Sequence, residues 1–179
     1  MTNSKYKNIA ISGDIGTGKS TLARLLSEKL NWEYISAGNY FREWYKSKGM
    51  DVSKVYGIPE EEDRKMEASF QKEMKEKSDT VFESRLAGWL ARDYPETLKV
   101  LCTVENEEAY KRVAGRDSVS SEEAKTLSIQ RSKDLADKFN KLYGVSDFLD
   151  EKYFDLVIDT TNLKPDEVLI KVMEKLNSE

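Results

Sequence analysis

The chain has 179 residues, one cysteine and no histidine, and its 33 acidic and 29 basic side chains give a net charge of −4. That length suits a single domain with a real core. The missing histidines exclude imidazole bases, His-containing triads and His-ligated metals, and the acidic balance argues against a broad nucleic-acid surface.

No apolar run approaches the roughly 20 residues of a membrane span. Residues 1–5 lack the apolar stretch of a signal peptide. Cys102 lies in an apolar run and reads as a small buried hydrophobe with no partner for an internal disulfide. The expectation is a cytoplasmic monomer with neither nucleic-acid polymer nor membrane as partner.

Residues 6–12, around Ile9-Ala10-Ile11, read as a first strand. Gly13-Asp14-Ile15-Gly16-Thr17-Gly18-Lys19-Ser20-Thr21 follows and fits G-x-x-x-x-G-K-[ST]. Residues 18–30 then carry apolar residues at helical spacing. The motif therefore stands between a strand and a helix, the context that gives it meaning. Glycines let the backbone turn tightly and bring its N–H groups close to an anion. The first helical turn adds unpaired N–H donors and the positive end of the dipole. Lys19 suits the β- and γ-phosphates, and Ser20 suits Mg²⁺. A nucleoside triphosphate is the expected ligand.

Residues 32–36 alternate and read as a second strand, followed by a helix over 37–48 with Tyr40, Phe41, Arg42, Trp44 and Tyr45, ended by Gly49. Residues 51–59 form a polar connection with Gly57 and Pro59 as breakers. A helix over 60–77 shows one apolar stripe, Met66, Phe70 and Met74. Residues 80–83 read as a third strand, 86–94 as a short helix stopped by Pro95, and 98–104 as a fourth strand. A helix over 106–116 and a long polar helical stretch over 120–143 come next. Residues 153–158 read as a fifth strand, and Pro165 opens a last helix to about residue 176. This alternation predicts one α/β domain with a doubly wound, mainly parallel five-stranded sheet. Its ligands bind beyond the carboxyl ends of the strands.

Several charges fall at those ends. Arg42 lies early in the helix after strand two, and Glu83 and Arg85 end strand three. Glu83 is the acidic candidate for the outer shell of Mg²⁺; the alternative is a plain ion pair with Arg85. Arg112 and Arg116 share a helical face, where like charges repel by a few tenths of a kcal/mol unless an anion lies between them. Glu108 could instead simply pair with Arg112. Arg131 and Lys138 also share a face, with Asp134 placed to pair with Lys138 on an ordinary solvated helix.

Ser36-Ala37-Gly38-Asn39-Tyr40-Phe41-Arg42 and Glu83-Ser84-Arg85-Leu86-Ala87-Gly88-Trp89 resemble the archaeal-type cytidylate kinases of the nucleoside monophosphate kinase superfamily. The resemblance runs nearly end to end, through Tyr143-Gly144 and Asp155-Leu156-Val157-Ile158-Asp159-Thr160. It implies that Gly38 and Arg42 hold the acceptor phosphate and that Arg85 contacts the same nucleotide, with Ser36, Phe41 and Gly88 on the acceptor side. It implies further that Arg112, Arg116, Arg131 and Lys138 belong to a lid, about 112–141, that closes over the transferring phosphoryl group. Asp14-Ile15 stands where that family commonly has small residues or proline, Ala37 and Ser84 where glycine is expected, and Lys138 where arginine is expected. Lysine keeps the charge and loses the two-pronged contact.

The resulting expectation is transfer of the γ-phosphoryl of ATP, with Mg²⁺, to a nucleoside monophosphate, CMP or dCMP first. The alternatives are another small acceptor (AMP, UMP or a non-nucleotide) and a nucleotide-sensing module without turnover. Residues 118–141 look too polar for the core, so this stretch is expected to be mobile without ligand and to close when nucleotides bind.

Overall fold

The computed structural model describes residues 5–49 and 59–178. The expected polar connection at 51–59 lies, Pro59 apart, outside the described residues. Strand β1 (Asn8–Gly13) is buried at every position, as a central parallel strand must be. β3 (Thr80–Glu83) and β4 (Thr97–Thr103) flank it, and β2 (Glu33–Ser36) and β5 (Leu156–Asp159) form the edges, in the order β2-β3-β1-β4-β5. Every pairing is parallel. The register sets Ile11, Ser36 and Glu83 side by side and Gly13 beside Cys102, all at the carboxyl ends.

Helices cover both faces. α1 (Lys19–Leu30) and α7 (Pro165–Asn177) close one face through Leu22, Leu26, Val168, Val172 and Leu176 against Ile9, Ile11, Val81 and Val100. On the other face lie α3 (Glu60–Glu76), the short α4 (Ala87–Leu90) and the end of α6 (Ser121–Tyr143). There Phe70, Met74, Leu86, Leu90 and Phe139 pack on Ala10 and Phe82. α2 (Ala37–Ser47) follows β2 without a break. α5 (Asn106–Asp117) packs on α6, with Val113 and Ala124 meeting Ile15 of the glycine-rich loop.

Local chemistry sets the boundaries. The Ser120 hydroxyl accepts the Glu123 N–H and starts α6, and Gly144 ends it in the left-handed conformation. Pro165 occupies the first turn of α7, where the Glu167 carboxylate accepts the Lys164 N–H at 2.7 Å. The fifth strand starts at Leu156, later than the sequence suggests. Asp150 accepts the Lys152 N–H and curls Glu151–Tyr153 into a 3₁₀ turn. Asp155 is held at the strand's entrance by the Lys99 backbone N–H and ammonium, each at 2.9 Å. The helix expected over 86–94 is regular only to Leu90 and tightens into turns before Pro95.

The expectation that residues 118–141 stay out of the core is corrected at two places. Ala124 and Phe139 are buried, at 0% and 4% exposure. Phe139 meets Phe148 edge to face at 4.9 Å, so the carboxyl end of α6 is anchored in the apolar interior. Among the described residues no helix is long and apolar enough to cross a membrane.

Candidate active site

The loop from Gly13 to Thr21 spans the turn between β1 and α1. Gly18 stands before the first turn of α1 at φ 80°, and no side chain caps that end. Its N–H groups are therefore available to an anion. At Gly16, φ is +78° and an added Cβ would lie 2.8 Å from the Ala109 carbonyl, so the loop can press against α5 only as glycine. The Thr17 hydroxyl and the Lys19 ammonium both donate to the Asp14 carbonyl, at 2.9 and 3.2 Å. Burial pushes the Lys19 ammonium below the usual lysine range, opposed by the nearby Glu83 carboxylate.

Glu83 does not pair with Arg85. Its buried carboxylate accepts the hydroxyls of Ser20 (3.1 Å), Tyr34 (2.8 Å) and Ser36 (2.7 Å). Burial and the facing carboxylate push the Tyr34 phenol up to about 12, so Tyr34 is a fixed donor. Ser36 is 3% exposed and its hydroxyl caps no helix, so its part at the site runs through Glu83. The Ser20 hydroxyl beside a carboxylate is a hard-oxygen set that fits Mg²⁺. Among the described residues no group of three acidic or cysteine side chains is placed to hold a metal ion by itself.

Arg85 turns instead to Asp14, 3.1 Å away, with its side chain 15% exposed. Arg131 and Lys19 both repel it electrostatically. Lys19 and Arg85 thus meet at Asp14, with Glu83 acting on Lys19 and Arg131 acting on Arg85 through space. Arg112 makes the alternative pairing with Glu108 (3.0 Å) and also reaches the Gly16 carbonyl and the Thr160 hydroxyl and carbonyl at 2.8–3.3 Å. It therefore clamps the loop to the turn after β5.

The remaining expected residues stand apart from this cluster. Arg116 lies on Asp117 in two bonds of 2.7 and 2.8 Å, and the same carboxylate is 4.0 Å from Arg131. Lys138 pairs with Glu67 at 3.3 Å, not with Asp134, and lies 5.2 Å from the Phe41 ring centre. Asp134 takes the Gln130 amide instead. Arg42 is exposed, bonds Asn39 and lies beside Gly38 in the first turns of α2. Gly88 does not face the cleft. It is buried, its N–H donates to Ser12, and an added Cβ would fall 2.1 Å from the Phe154 ring.

Sequence reading missed the parts played by Tyr34, Glu67, Ser132 and Thr160. Thr160 is 3% exposed and its hydroxyl reaches the Thr17 and Thr103 carbonyls. Glu67 did leave a signal: it shares the apolar stripe of Phe70 and Met74, three and seven residues on, and is 7% exposed.

Residues 8–162 match the cytidylate kinase-like family. The chain belongs to that family. It is 36% identical over 163 residues to a cytidylate kinase of Sulfolobus acidocaldarius, covering 89% of this chain and 88% of that protein. It is 34% identical over 173 residues to a cytidylate kinase of Haloarcula marismortui, covering 95% and 89%. In fold it matches the shikimate kinase of Acinetobacter baumannii at a TM-score of 0.62 and 18% identity, over 97% of this chain and 94% of that one. Membership in this kinase family fits a site whose cations gather at the phosphate loop.

Proposed function

We propose that the protein transfers the γ-phosphoryl group of ATP to a nucleoside monophosphate, with CMP or dCMP as acceptor. The observation that carries this reading is the meeting of Lys19 and Arg85 at Asp14 of the loop, beside the Ser20–Glu83 pair. An oxygen of the acceptor phosphate attacks the γ-phosphorus. The bond to the bridging oxygen breaks, and its electron pair leaves with ADP. No bond to the protein forms, and an acceptor that is already anionic needs no strong base, so catalysis is alignment and charge neutralisation.

Each residue then has a task. The loop N–H groups and Lys19 hold the triphosphate. Ser20 would hold Mg²⁺, with Glu83 steadying the Ser20 hydroxyl. Bound Mg²⁺ supplies positive charge to the β- and γ-oxygens. Gly38, Phe41 and Arg42 line the acceptor side, and Arg85 stands between the two nucleotides. Recruiting Arg116 and Lys138 requires their contacts to Asp117 and Glu67 to open.

The test is turnover of ATP with CMP, dCMP, UMP and AMP, resolved as nucleoside diphosphates. CMP or dCMP should give a kcat/KM at least about tenfold above the others, a gap of roughly 1.4 kcal/mol in transition-state binding. ATP binding with no diphosphate formed from any acceptor would overturn the reading in favour of a sensing module.

A further inference from the structure

Asp14 places a negative charge inside a loop built to receive phosphate. Its carboxylate lies within reach of three elements at once. It accepts the Ile15 N–H at 2.8 Å within the loop. It accepts the Ser132 hydroxyl of α6, at 2.9 and 2.8 Å from its two oxygens. It faces Arg85, at the entrance to α4, at 3.1 Å. Its carbonyl receives Lys19. One residue therefore touches two cations of the site and the helix that carries a third, Arg131.

We propose that Asp14 is a positioning residue for phosphoryl transfer, which holds Arg85 in the cation cluster and ties the middle of α6 to the phosphate loop. This rests on the kinase reading above. Arg85 is largely withdrawn from water, and burial together with Arg131 weakens its hold on its proton, while Asp14 opposes both. Without the carboxylate, Arg85 keeps the repulsion of Lys19 and Arg131 with no paired charge to oppose it, and its flexible side chain turns away toward solvent. With the carboxylate, Arg85 stays in place before the nucleotides arrive, and less of the ordering cost falls on the bound complex. The acceptor phosphate carries more charge than Asp14 and adds its own contacts to the same cluster. Through Ser132, the same carboxylate fixes how close α6 sits to the loop.

The test combines Asp14→Ala, Asp14→Asn, Ser132→Ala and Arg85→Ala in the full chain, read by steady-state kinetics and hydrogen exchange. Asp14→Ala is expected to lower kcat about tenfold or more while the KM for ATP moves less than about twofold. Adding Arg85→Ala to it should cost little beyond Arg85→Ala alone, because both changes remove one arrangement. Without ligand, α6 should exchange faster in Asp14→Ala and Ser132→Ala. Asp14→Asn keeps an acceptor for Ser132, so it should hold α6 protected and still lose kcat; it also serves as the kinetic test if the alanine variant does not fold. Losses that multiply independently, or an unchanged kcat, would overturn the proposal. A wild-type protein that phosphorylates no acceptor would defeat the kinase reading instead, and the exchange of α6 would then decide the part of Asp14 by itself.

Discussion

Lys19 shows how one side chain depends on its surroundings at the residue scale. The residue is half-buried, its ammonium is withdrawn from water beside the Asp14 carbonyl and Glu83, and burial works against its charge. A bound triphosphate adds opposite charge at that point and favours the charged form. Lys19→Ala should therefore lower kcat/KM by at least about a hundredfold, the scale seen when a preorganised donor to developing charge is removed. Far-ultraviolet circular dichroism should stay unchanged, since the lysine end faces the cleft rather than the core. Near-normal turnover would exclude the loop as the triphosphate site. The loop motif was legible because the physics is local: glycines, a lysine and a hydroxyl in sequence. The Asp14–Arg85–Ser132 contact was not, because its three members are brought together only by the packing of α4 and α6 on the loop. The same holds for Glu83, whose three hydroxyl partners come from α1 and from β2.

At the scale of elements, the central strands were legible from continuous apolar runs, and α6 from its long polar helical stretch. What the pattern hid is that α6 is two things. Its amino-terminal and middle turns lean on α5 and touch the loop through Ser132, while Phe139 is fixed in the core. We propose that closure over nucleotides pivots near the carboxyl end and leaves Phe139 in place. Residues 121–135 should exchange faster than 136–143 in the ligand-free protein, and gain protection when ATP and acceptor, or a bisubstrate analogue, are bound. Arg131→Ala should reduce kcat by much more than it weakens ATP binding, because its contact completes only in the closed complex. Uniformly slow exchange along α6, unchanged by ligand, would make it a fixed structural helix and return Arg131 to a solvated surface role. The sequence starts the fifth strand too early, at residue 153, because Tyr153 and Phe154 are β-formers. The cap made by Asp150 and the grip of Lys99 on Asp155 outweighed that preference.

For the whole molecule, the site depends on two apolar layers that hold one parallel sheet, and two glycines test how tightly they fit. Glycine to alanine in a helix gains roughly 0.5–1 kcal/mol from backbone preference alone. At Gly115 on α5 nothing lies within 4 Å of an added Cβ, so that gain should appear in full. At Gly88 the added carbon would lie 2.1 Å from the Phe154 ring, which packs where the chain enters β5. Forcing such an overlap costs about 1–3 kcal/mol and outweighs the gain. In a domain of this size each kcal/mol moves Tm by about 2–4 °C. Gly115→Ala should therefore raise Tm by about 1–4 °C, and Gly88→Ala should lower it by a similar amount or more, in thermal melts at matched protein concentration. Because Gly88 bonds to Ser12 just before the phosphate loop, its variant should also weaken ATP binding at temperatures well below its Tm, whereas Gly115→Ala should not. Shifts of the same sign at both positions would mean that Phe154 yields freely, and that the contact between α4 and the entrance of β5 places no constraint on the loop above it.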